Sequence, residues 1–389
     1  MSKEKTFQPA LRFNRFEGDW QELPLSQIAL SFEYGLNASA VKYDGVHKYI
    51  RITDINDDTR EFDKDSLTTP ETNLALADNY KLEYGDLLFA RTGASVGKTY
   101  YYKQTDGLVY YAGFLIRAKI RPDHDVRFIF QNTLTYDYER FIKVMSQRSG
   151  QPGVNANEYG QFEIKIPGLK EQTQIGTFFQ HIDQQLKLHQ SKHTKLQQLK
   201  KSMLGKMFPK AGAKVPEVRF AGCDGDWKPT SLADVVDVRS GRDYKHLNKG
   251  SIPVYGTGGY MLSVNKALSY NEDAIGIGRK GTIDRPFVLR APFWTVDTLF
   301  YSVPKLNNEL QFTYALFQKV NWKDKDESTG VPSLSKVAIN GIPVISCSLR
   351  EQTKIGKYFQ NLDRLIELQQ QHINKLKNIK QACLEKMFV

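Results

Sequence analysis

The sequence contains little cysteine and no long apolar run. Its three cysteines, Cys223, Cys347 and Cys383, are too few and too far apart for a disulfide framework or a zinc site built on cysteine. Residues 1–10 are polar and contain no apolar signal core, and no stretch approaches the roughly 18 consecutive apolar residues of a membrane-spanning helix. These absences predict a soluble cytoplasmic protein that does not bind a membrane.

Motifs for catalysis and for cofactor binding are also scarce. The segment Gly93–Lys98 resembles a phosphate-binding loop, but three residues separate its glycines where the motif requires four. His189 and His193 lie four residues apart without a third ligand, so no metal site is predicted. The chain has no Asn/Asp-Pro-Pro-aromatic methyltransferase motif and no Gly-rich dinucleotide fingerprint. We therefore predict a binding protein with no catalytic residues, metal site or cofactor of its own.

What the chain does contain is an internal repeat. The segment 169–208 returns without a gap as 349–388, with 18 identities in 40 positions, and both copies begin Leu-x-Glu-Gln-Thr-x-Ile-Gly and end Lys-Met-Phe. A shorter motif near Trp20 returns near Trp227. The blocks between these motifs, about 30–168 and 237–348, barely resemble each other. A duplicated arrangement with two unlike inserts suggests one architecture that recognises two different things.

The repeated segments are predicted to be long helices. They lack internal proline, and their apolar residues follow a seven-residue spacing that is typical of a coiled-coil seam. Polar residues such as Lys200 and Lys380 interrupt this seam and are expected to fix its register. Because the seam is imperfect, we expect apolar side chains to remain available for partner proteins. The predicted partner contacts are Ile175, Phe179, Ile182, Leu186, Ile355, Phe359, Leu362 and Ile366.

The positive charge of the chain is concentrated in these two segments. The chain has 54 Lys and Arg against 43 acidic residues, a formal charge of +11. The segment 169–210 contributes +6 and the segment 349–389 contributes +4, so the rest of the chain is close to neutral. We expect this charge to face either nucleic-acid phosphates or acidic surfaces of partner proteins, and the sequence does not choose between them.

The two variable blocks are predicted to be mixed α/β modules, with a helix over about 126–146 in the first. Gly-rich turns with nearby Arg, Lys and aromatic residues separate their strands, at 91–98, 255–260 and 278–282. Such turns allow backbone amides and basic side chains to approach phosphates and base edges. The alternative for any single turn is a tight hairpin with solvated charges.

These motifs together resemble the specificity (S) subunit of type I restriction-modification enzymes. The resemblance rests on Tyr49–Ile55, on Gly85–Lys98, on Tyr255–Gly259, on Ile277–Thr282, on Ser333–Ser335 and on the two repeated helices. It departs from the family at Gly153-Val-Asn155, where a Ser-containing turn is usual, so the equivalent of Ser333 is open. The resemblance implies a mixed α/β (α+β) fold with two globular target recognition domains separated by two long antiparallel helices, which form a coiled coil with an internal pseudo-twofold repeat. The expected segments are target recognition domain 1 (1–168), the first spacer helix (169–208), a connector (209–217), target recognition domain 2 (218–348) and the second spacer helix (349–389).

The resemblance also implies a function. Each domain would recognise one half of an asymmetric, bipartite site in double-stranded DNA. Two methyltransferase (M) subunits would dock on the helices, and restriction (R) subunits, up to two, would join where the system has them. S-adenosylmethionine, ATP and Mg²⁺ would belong to those partners. The predicted DNA contacts are Arg51, Arg91, Thr92, Ser95, Lys98, Tyr255, Thr257, Arg279, Lys280, Thr282 and Ser333.

Two alternatives remain open at this point. The chain could be a coiled-coil scaffold that binds only proteins and has no sequence-specific DNA contact. It could also be a Mg²⁺-dependent nuclease, for which Asp123, Glu163 and Lys165 are the candidate residues.

Overall fold

A computed structural model describes residues 7–147 and 152–389 of the chain. These residues form two compact units, which we call the first and second modules. The first module comprises the described residues up to His189 together with His372–Val389, and the second comprises Gln190–Gln371. Within the described ranges, none of the helices is both long and apolar enough to cross a membrane. The modules differ from the predicted segments, because each takes the beginning of one long helix and the end of the other.

The first module is built around a four-stranded antiparallel sheet in the order β2-β9-β6-β7. Two further antiparallel pairs, β1-β10 and β3-β5, and one parallel pair, β4-β8, surround it. The strands are β1 (Gln21–Pro24), β2 (Ala29–Tyr34), β3 (Ala40–Lys42), β4 (Lys48–Ile50), β5 (Thr68–Pro70), β6 (Asp86–Ala90), β7 (Thr99–Tyr101), β8 (Val109–Tyr111), β9 (Leu115–Ile120) and β10 (Glu163–Ile166). The helices are α1 (Leu25–Ile28), α2 (Val126–Asn132), α3 (Tyr136–Ser146), α4 (Ala156–Gly160) and α5 (Leu169–Lys206).

The helix predicted over about 126–146 is in fact two helices, α2 and α3. Thr133 Oγ1 donates to the carbonyl oxygen of Phe130 at 2.7 Å, and Thr135 Oγ1 donates to that of Asn132 at 2.8 Å. Threonine hydroxyls that bond nearby carbonyls offer the backbone an alternative to the helical ladder. These two bonds explain why the helical pattern is interrupted between Asn132 and Tyr136.

The second module repeats this plan in its central sheet, which has the order β12-β18-β15-β16. An antiparallel pair, β11-β19, and a three-stranded sheet, β14-β13-β17, accompany it. The strands are β11 (Lys228–Ser231), β12 (Val236–Ser240), β13 (Lys249–Gly256), β14 (Gly259–Val264), β15 (Ala274–Gly278), β16 (Phe287–Leu289), β17 (Trp294–Thr295), β18 (Leu299–Pro304) and β19 (Pro343–Ser346). The helices are α6 (Leu232–Val235), α7 (Leu310–Lys319), α8 (Lys336–Asn340) and α9 (Leu349–Met387).

The two central sheets have the same topology although their sequences differ. In the first module β2 pairs with β9, which pairs with β6, and in the second β12 pairs with β18, which pairs with β15. β6 and β15 are the strands that precede the Gly-rich turns. β6 and β15 are buried along their whole length, so their runs Asp-Leu-Leu-Phe-Ala and Ala-Ile-Gly-Ile-Gly show no alternation of apolar and polar residues, and Asp86 is the one charged residue in them. The duplication seen in the helices therefore extends to the variable blocks, which confirms the predicted internal repeat of two mixed α/β modules.

The long helices run antiparallel within each module. In the first module the ring of Phe179, early in α5, lies 5.7 Å from that of Phe388 beyond the end of α9. In the second module the ring of Phe359, early in α9, lies 6.1 Å from that of Phe208 beyond the end of α5. Each helix start is thus packed against the other helix end, and both pairs belong to apolar clusters that include module side chains.

The repeated Glu-Gln pair anchors each helix start to its module. Glu171 accepts two bonds from Arg12, from Nε and Nη2 at 2.8 Å each, and Glu351 accepts the same two bonds from Arg219. The next residue, Gln172, accepts from the backbone N–H of Asp125 at 3.0 Å, the residue that caps α2. Bidentate pairs between Arg and a carboxylate fix both distance and orientation. The short motifs near Trp20 and Trp227 thus fix the helix starts.

Candidate nucleic-acid interface

The turn after β6 in the first module is held by backbone hydrogen bonds to two other segments. The N–H of Arg91 donates to the carbonyl oxygen of Phe114 at 3.1 Å. The carbonyl of Arg91 accepts from the N–H of Val154 at 2.9 Å, and the N–H of Gly93 donates to the carbonyl of Pro152 at 3.0 Å. Three segments of the chain therefore meet at this turn.

The turn after β15 in the second module is held in the same way. The N–H of Arg279 donates to the carbonyl of Thr298 at 2.8 Å, and its carbonyl accepts from Leu334 at 2.9 Å. The N–H of Gly281 donates to the carbonyl of Pro332 at 2.8 Å. Arg91 and Arg279 thus occupy equivalent positions, which the dissimilar sequences of the blocks do not show.

This equivalence also identifies the residue of the first module that corresponds to Ser333. Thr92 forms a β-bridge with Gly153, and Lys280 forms one with Ser333, so Gly153 takes the place of Ser333 in the first module. Two residues later, Asn155 caps α4 and Ser335 caps α8, each through a side-chain oxygen that accepts a backbone N–H. The turn before the short helix is therefore present in both modules, with Gly153 and Asn155 in the first where the second has Ser333 and Ser335.

Aromatic side chains surround the turn of the first module. The guanidinium of Arg91 lies 4.9 Å from the ring centre of Tyr34, a distance at which a cation and an aromatic face attract each other. Tyr34 and Phe114 are exposed. Thr92 and Ser95 are half-buried in the same turn. The surface here combines one half-buried cation with two exposed aromatic rings.

The turn of the second module carries more positive charge. Arg279 and Lys280 are both exposed, and Thr282 is half-buried. The hydroxyl of Thr257, in the turn between β13 and β14, lies beside Gly281. The Tyr255–Gly259 turn and the 278–282 turn predicted from the sequence are therefore adjacent.

Tyr255 is half-buried, because its ring packs between those of Tyr260 and Phe287. Tyr260 is the most exposed of the three, and the predicted DNA contacts do not include it. Its position one residue after Gly259, at the start of a strand, was the available signal.

Two of the predicted DNA contacts, Lys98 and Arg51, form ion pairs within the first module. Lys98 is buried, and its Nζ donates to the carbonyl of Ile55 at 3.1 Å and pairs with Asp57 at 2.5 Å. The prediction that Lys98 contacts DNA is wrong, because a buried, paired ammonium cannot reach a groove. Arg51 binds the carboxylate of Asp54 through Nε and Nη2, at 2.8 Å each. Its DNA contact remains a prediction.

The predicted partner contacts on the long helices need a larger correction. Six of the eight are buried within the chain itself and offer no surface to another protein: Ile175, Phe179, Ile182, Ile355, Phe359 and Leu362. Their predicted role is wrong, because the seven-residue pattern marks the buried stripe of each long helix. This stripe packs on the rest of the module as well as on the other long helix. Leu186 and Ile366 are half-buried, and their role stays a prediction.

Other apolar side chains of the helices are exposed in equivalent places. In the first module they are Leu188 on α5 and Ile379 on α9. In the second module they are Leu368 on α9 and Leu199 on α5, at the same positions of the repeat. The sequence pattern missed them because they lie outside the seam.

One residue of the nuclease alternative, Lys165, forms ion pairs within the module. Lys165 Nζ lies 3.6 Å from a carboxylate oxygen of Glu22 and 3.7 Å from one of Asp137. Across residues 7–147 and 152–389, no group of three His, Cys, Asp or Glu side chains could hold a metal ion. The described residues thus offer no observation that favours a nuclease site.

Comparison with known proteins identifies relatives of the whole arrangement. The family model for the type I restriction modification DNA specificity domain matches residues 17–198 and again 224–378. The type I restriction enzyme MjaVIII specificity subunit of Methanocaldococcus jannaschii is 21% identical over 285 residues. That match covers 63% of this chain and 66% of the archaeal subunit, just under two-thirds of its length.

A solved structure has the same fold. The crystal structure of the type I restriction-modification system S subunit from M. genitalium matches with a TM-score of 0.75 and 16% sequence identity. The match covers 98% of this chain and 99% of that one.

Proposed function

Because the chain belongs to the type I restriction modification DNA specificity family, we propose that it recognises an asymmetric, bipartite DNA site, one half by each module. The observation that carries the proposal is the pair of equivalent turns with different side chains. The same backbone arrangement presents Arg91 and Thr92 in the first module but Arg279 and Lys280 in the second. Sequence is recognised by side chains at base edges, so different side chains on equivalent turns give two different half-sites.

The long helices carry the partner subunits in this proposal. Leu188 with Ile379, and Leu368 with Leu199, present exposed apolar side chains at equivalent positions of the two modules. Equivalent surfaces support two copies of one partner, which we take to be two methyltransferase (M) subunits, with restriction (R) subunits added where the system has them. Methylation with S-adenosylmethionine and ATP- and Mg²⁺-dependent cleavage would belong to those partners.

Exchange of one block tests this proposal. Residues 30–168 are replaced by the equivalent block of another member of the family, and adenine methylation of the host genome is mapped with the original and exchanged chains. We expect one half of the methylated motif to change and the other half to stay, because each turn lies within one block. A motif in which both halves change, or in which neither does, would contradict the division of recognition between the modules.

Two further measurements separate the alternatives. A coiled-coil scaffold without DNA recognition predicts an assembled complex with no sequence-selective binding to any duplex. A stand-alone nuclease predicts Mg²⁺-dependent cutting by the purified chain alone, lost on Glu163→Ala.

A further inference from the structure

Phe114 is an exposed aromatic residue in an otherwise buried part of the first module. Its side chain is 63% exposed, whereas the next residue, Leu115 at the start of β9, is fully buried. Ala112, two residues before it, is also buried. The ring is therefore exposed at the edge of the core, and its exposure does not come from a long loop.

The backbone that carries Phe114 is fixed by hydrogen bonds on both sides. The N–H of Gly113 donates to the carbonyl of Leu36 at 2.8 Å, and the N–H of Leu115 donates to that of Ala112 at 2.8 Å. The carbonyl of Phe114 itself accepts the N–H of Arg91. A side chain at Gly35 would lie 2.1 Å from the carbonyl oxygen of Ala112, so this approach requires glycine. An exposed ring on a fixed backbone loses little conformational freedom when it binds.

The backbone bond to Phe114 holds Arg91 next to this residue, and the Arg91 side chain is half-buried. Its guanidinium stacks on Tyr34, and in the part of the chain that the structure describes no carboxylate forms an ion pair with it. A stacked guanidinium keeps its N–H groups free at the edge of the plane. Those groups can form two bonds to O6 and N7 of a guanine in the major groove.

The second module lacks both aromatic residues at the matched positions. The bond from Gly35 to Leu115 has its counterpart in the bond from Gly241 to Leu299, at 3.1 Å in each case. The residue before Leu299 is Thr298, which therefore corresponds to Phe114. The residue before Gly241 is Ser240, which corresponds to Tyr34. The exposed aromatic pair at these positions is thus particular to the first module, since the ring over which Arg279 lies, that of Phe300 at 5.8 Å, is buried.

We propose that Phe114 contacts the methyl group of a thymine next to the guanine that Arg91 binds, within the half-site of the first module. The inference rests on the proposed function and adds a specificity-determining residue to it. An aromatic ring beside a guanine-binding arginine suits the thymine C5-methyl group, which projects into the same groove. The half-site of the second module has no equivalent contact.

Replacing thymine by uracil tests the contact, because uracil lacks only this methyl group. The complex is purified through a tag on the full chain, and its motif is selected from a library of random 30-base-pair duplexes. The first module's half-site is the half that changes when block 30–168 is exchanged. Each thymine of that half is then replaced by uracil, and dissociation constants are measured for the wild type, Phe114→Ala and, as a matched control, Thr298→Ala.

We expect one uracil substitution to weaken wild-type binding about fourfold, which is the effect of one buried methyl-sized group. Phe114→Ala should bind the thymine and uracil duplexes equally, and Thr298→Ala should keep the wild-type difference. Because Phe114 is exposed, thermal melting of the variant should match that of the wild type.

Three results would overturn the inference alone, given a wild type that selects a bipartite motif. The first is that no uracil substitution weakens wild-type binding, and the second is that Phe114→Ala keeps the thymine preference. The third is that Phe114→Ala loses its partner subunits while DNA selectivity persists, which would place the ring against protein. A wild-type complex that selects no sequence would instead overturn the proposed function itself.

Discussion

Lys380 Nζ lies 2.6 Å from Asp183 Oδ1, across the two long helices of the first module. In the second module Lys200 pairs with Asp363, and these four residues are related by the repeat. The two lysines are the polar interruptions that the sequence places in the apolar seam. Each lysine pairs with one position of the other helix, so a shift of register would separate both pairs.

A double-mutant cycle checks this role. We expect Asp183→Ala, Lys380→Ala and the double variant to give a coupling free energy of about 1 kcal/mol, at the upper end for ion pairs that are partly exposed. The cycle of Asp363 and Lys200 should give a similar value. Urea unfolding provides the measurement, and a coupling near zero in both modules would contradict a role in register.

The anchor between Arg12 and Glu171 should contribute more than this pair. Both carboxylate oxygens of Glu171 are bound and its side chain is nearly inaccessible, so Arg12→Ala leaves a buried carboxylate without its partner. We expect a loss of about 3 kcal/mol in the free energy of unfolding.

Lysine should not replace this arginine, because an ammonium cannot make the two-pronged contact. Arg12→Lys is the matched variant, and Arg219→Lys tests the same point at Glu351. Full stability of either lysine variant in thermal or urea unfolding would show that charge alone is enough.

Arginine substitutions at the two equivalent turns should affect different half-sites. We expect Arg91→Ala and Arg279→Ala each to cost about 1–3 kcal/mol of binding and to relax one position of one half-site. Selection from a random duplex library shows which half changes. If both variants relaxed the same half, the assignment of one half to each module would fail.

Exposed leucines on the helices should affect assembly and leave folding intact. Because Leu188 and Leu368 are exposed, the double variant Leu188→Glu and Leu368→Glu should unfold at the wild-type temperature. It should retain less methyltransferase subunit on affinity purification, since an apolar contact would then bury a charge. Leu306→Glu, also exposed but not part of either long helix, is the control and should retain the subunit fully.

Asp86 makes the first module less stable as the pH rises, whereas a typical carboxylate makes a protein more stable as the pH rises. Burial raises the pKa of Asp86 to about 6, although the N–H of Glu83 and the nearby Arg117 act against this rise. The folded chain therefore binds more protons than the unfolded chain between about pH 4 and pH 6. The contribution of Asp86 to stability is present below about pH 4 and falls as the pH rises toward 6.

Asp86→Asn removes this titration. Relative to the wild type, the variant should gain up to about 3 kcal/mol of stability between pH 4 and pH 7, which corresponds to a pKa difference of about two units. Urea unfolding at several pH values measures the difference. A constant difference across this range would show that Asp86 does not change its protonation there.

The repeat allowed much of this fold to be predicted from the sequence. The helices α5 and α9 begin at Leu169 and Leu349, where the repeated motif begins. Apolar spacing did not show what those helices pack against. Phe179 and Phe359 have the spacing of a coiled-coil seam, yet both lie in clusters with module side chains. Periodicity gives the buried face of a helix and does not identify the surface that buries it.

The candidate interface was predictable in type but not in detail. Arg91, Thr92 and Ser95 lie in the first turn and Arg279, Lys280 and Thr282 in the second, whereas Lys98 in the same sequence motif is buried against Asp57. Tyr34 and Phe114 lie near Arg91 because strands pair between separate segments of the chain. No local sequence pattern predicts that pairing. Which basic side chain is paired inside and which is exposed depends on those long-range contacts.

Backbone hydrogen bonds hold the turns at Arg91 and Arg279 to neighbouring segments. Their side chains can therefore change without loss of the bonds that shape the turn. Single substitutions at such a turn can alter the preferred base while the protein still folds and assembles. New specificities are then open to gradual mutation of one module, one base pair at a time, in addition to the exchange of whole blocks.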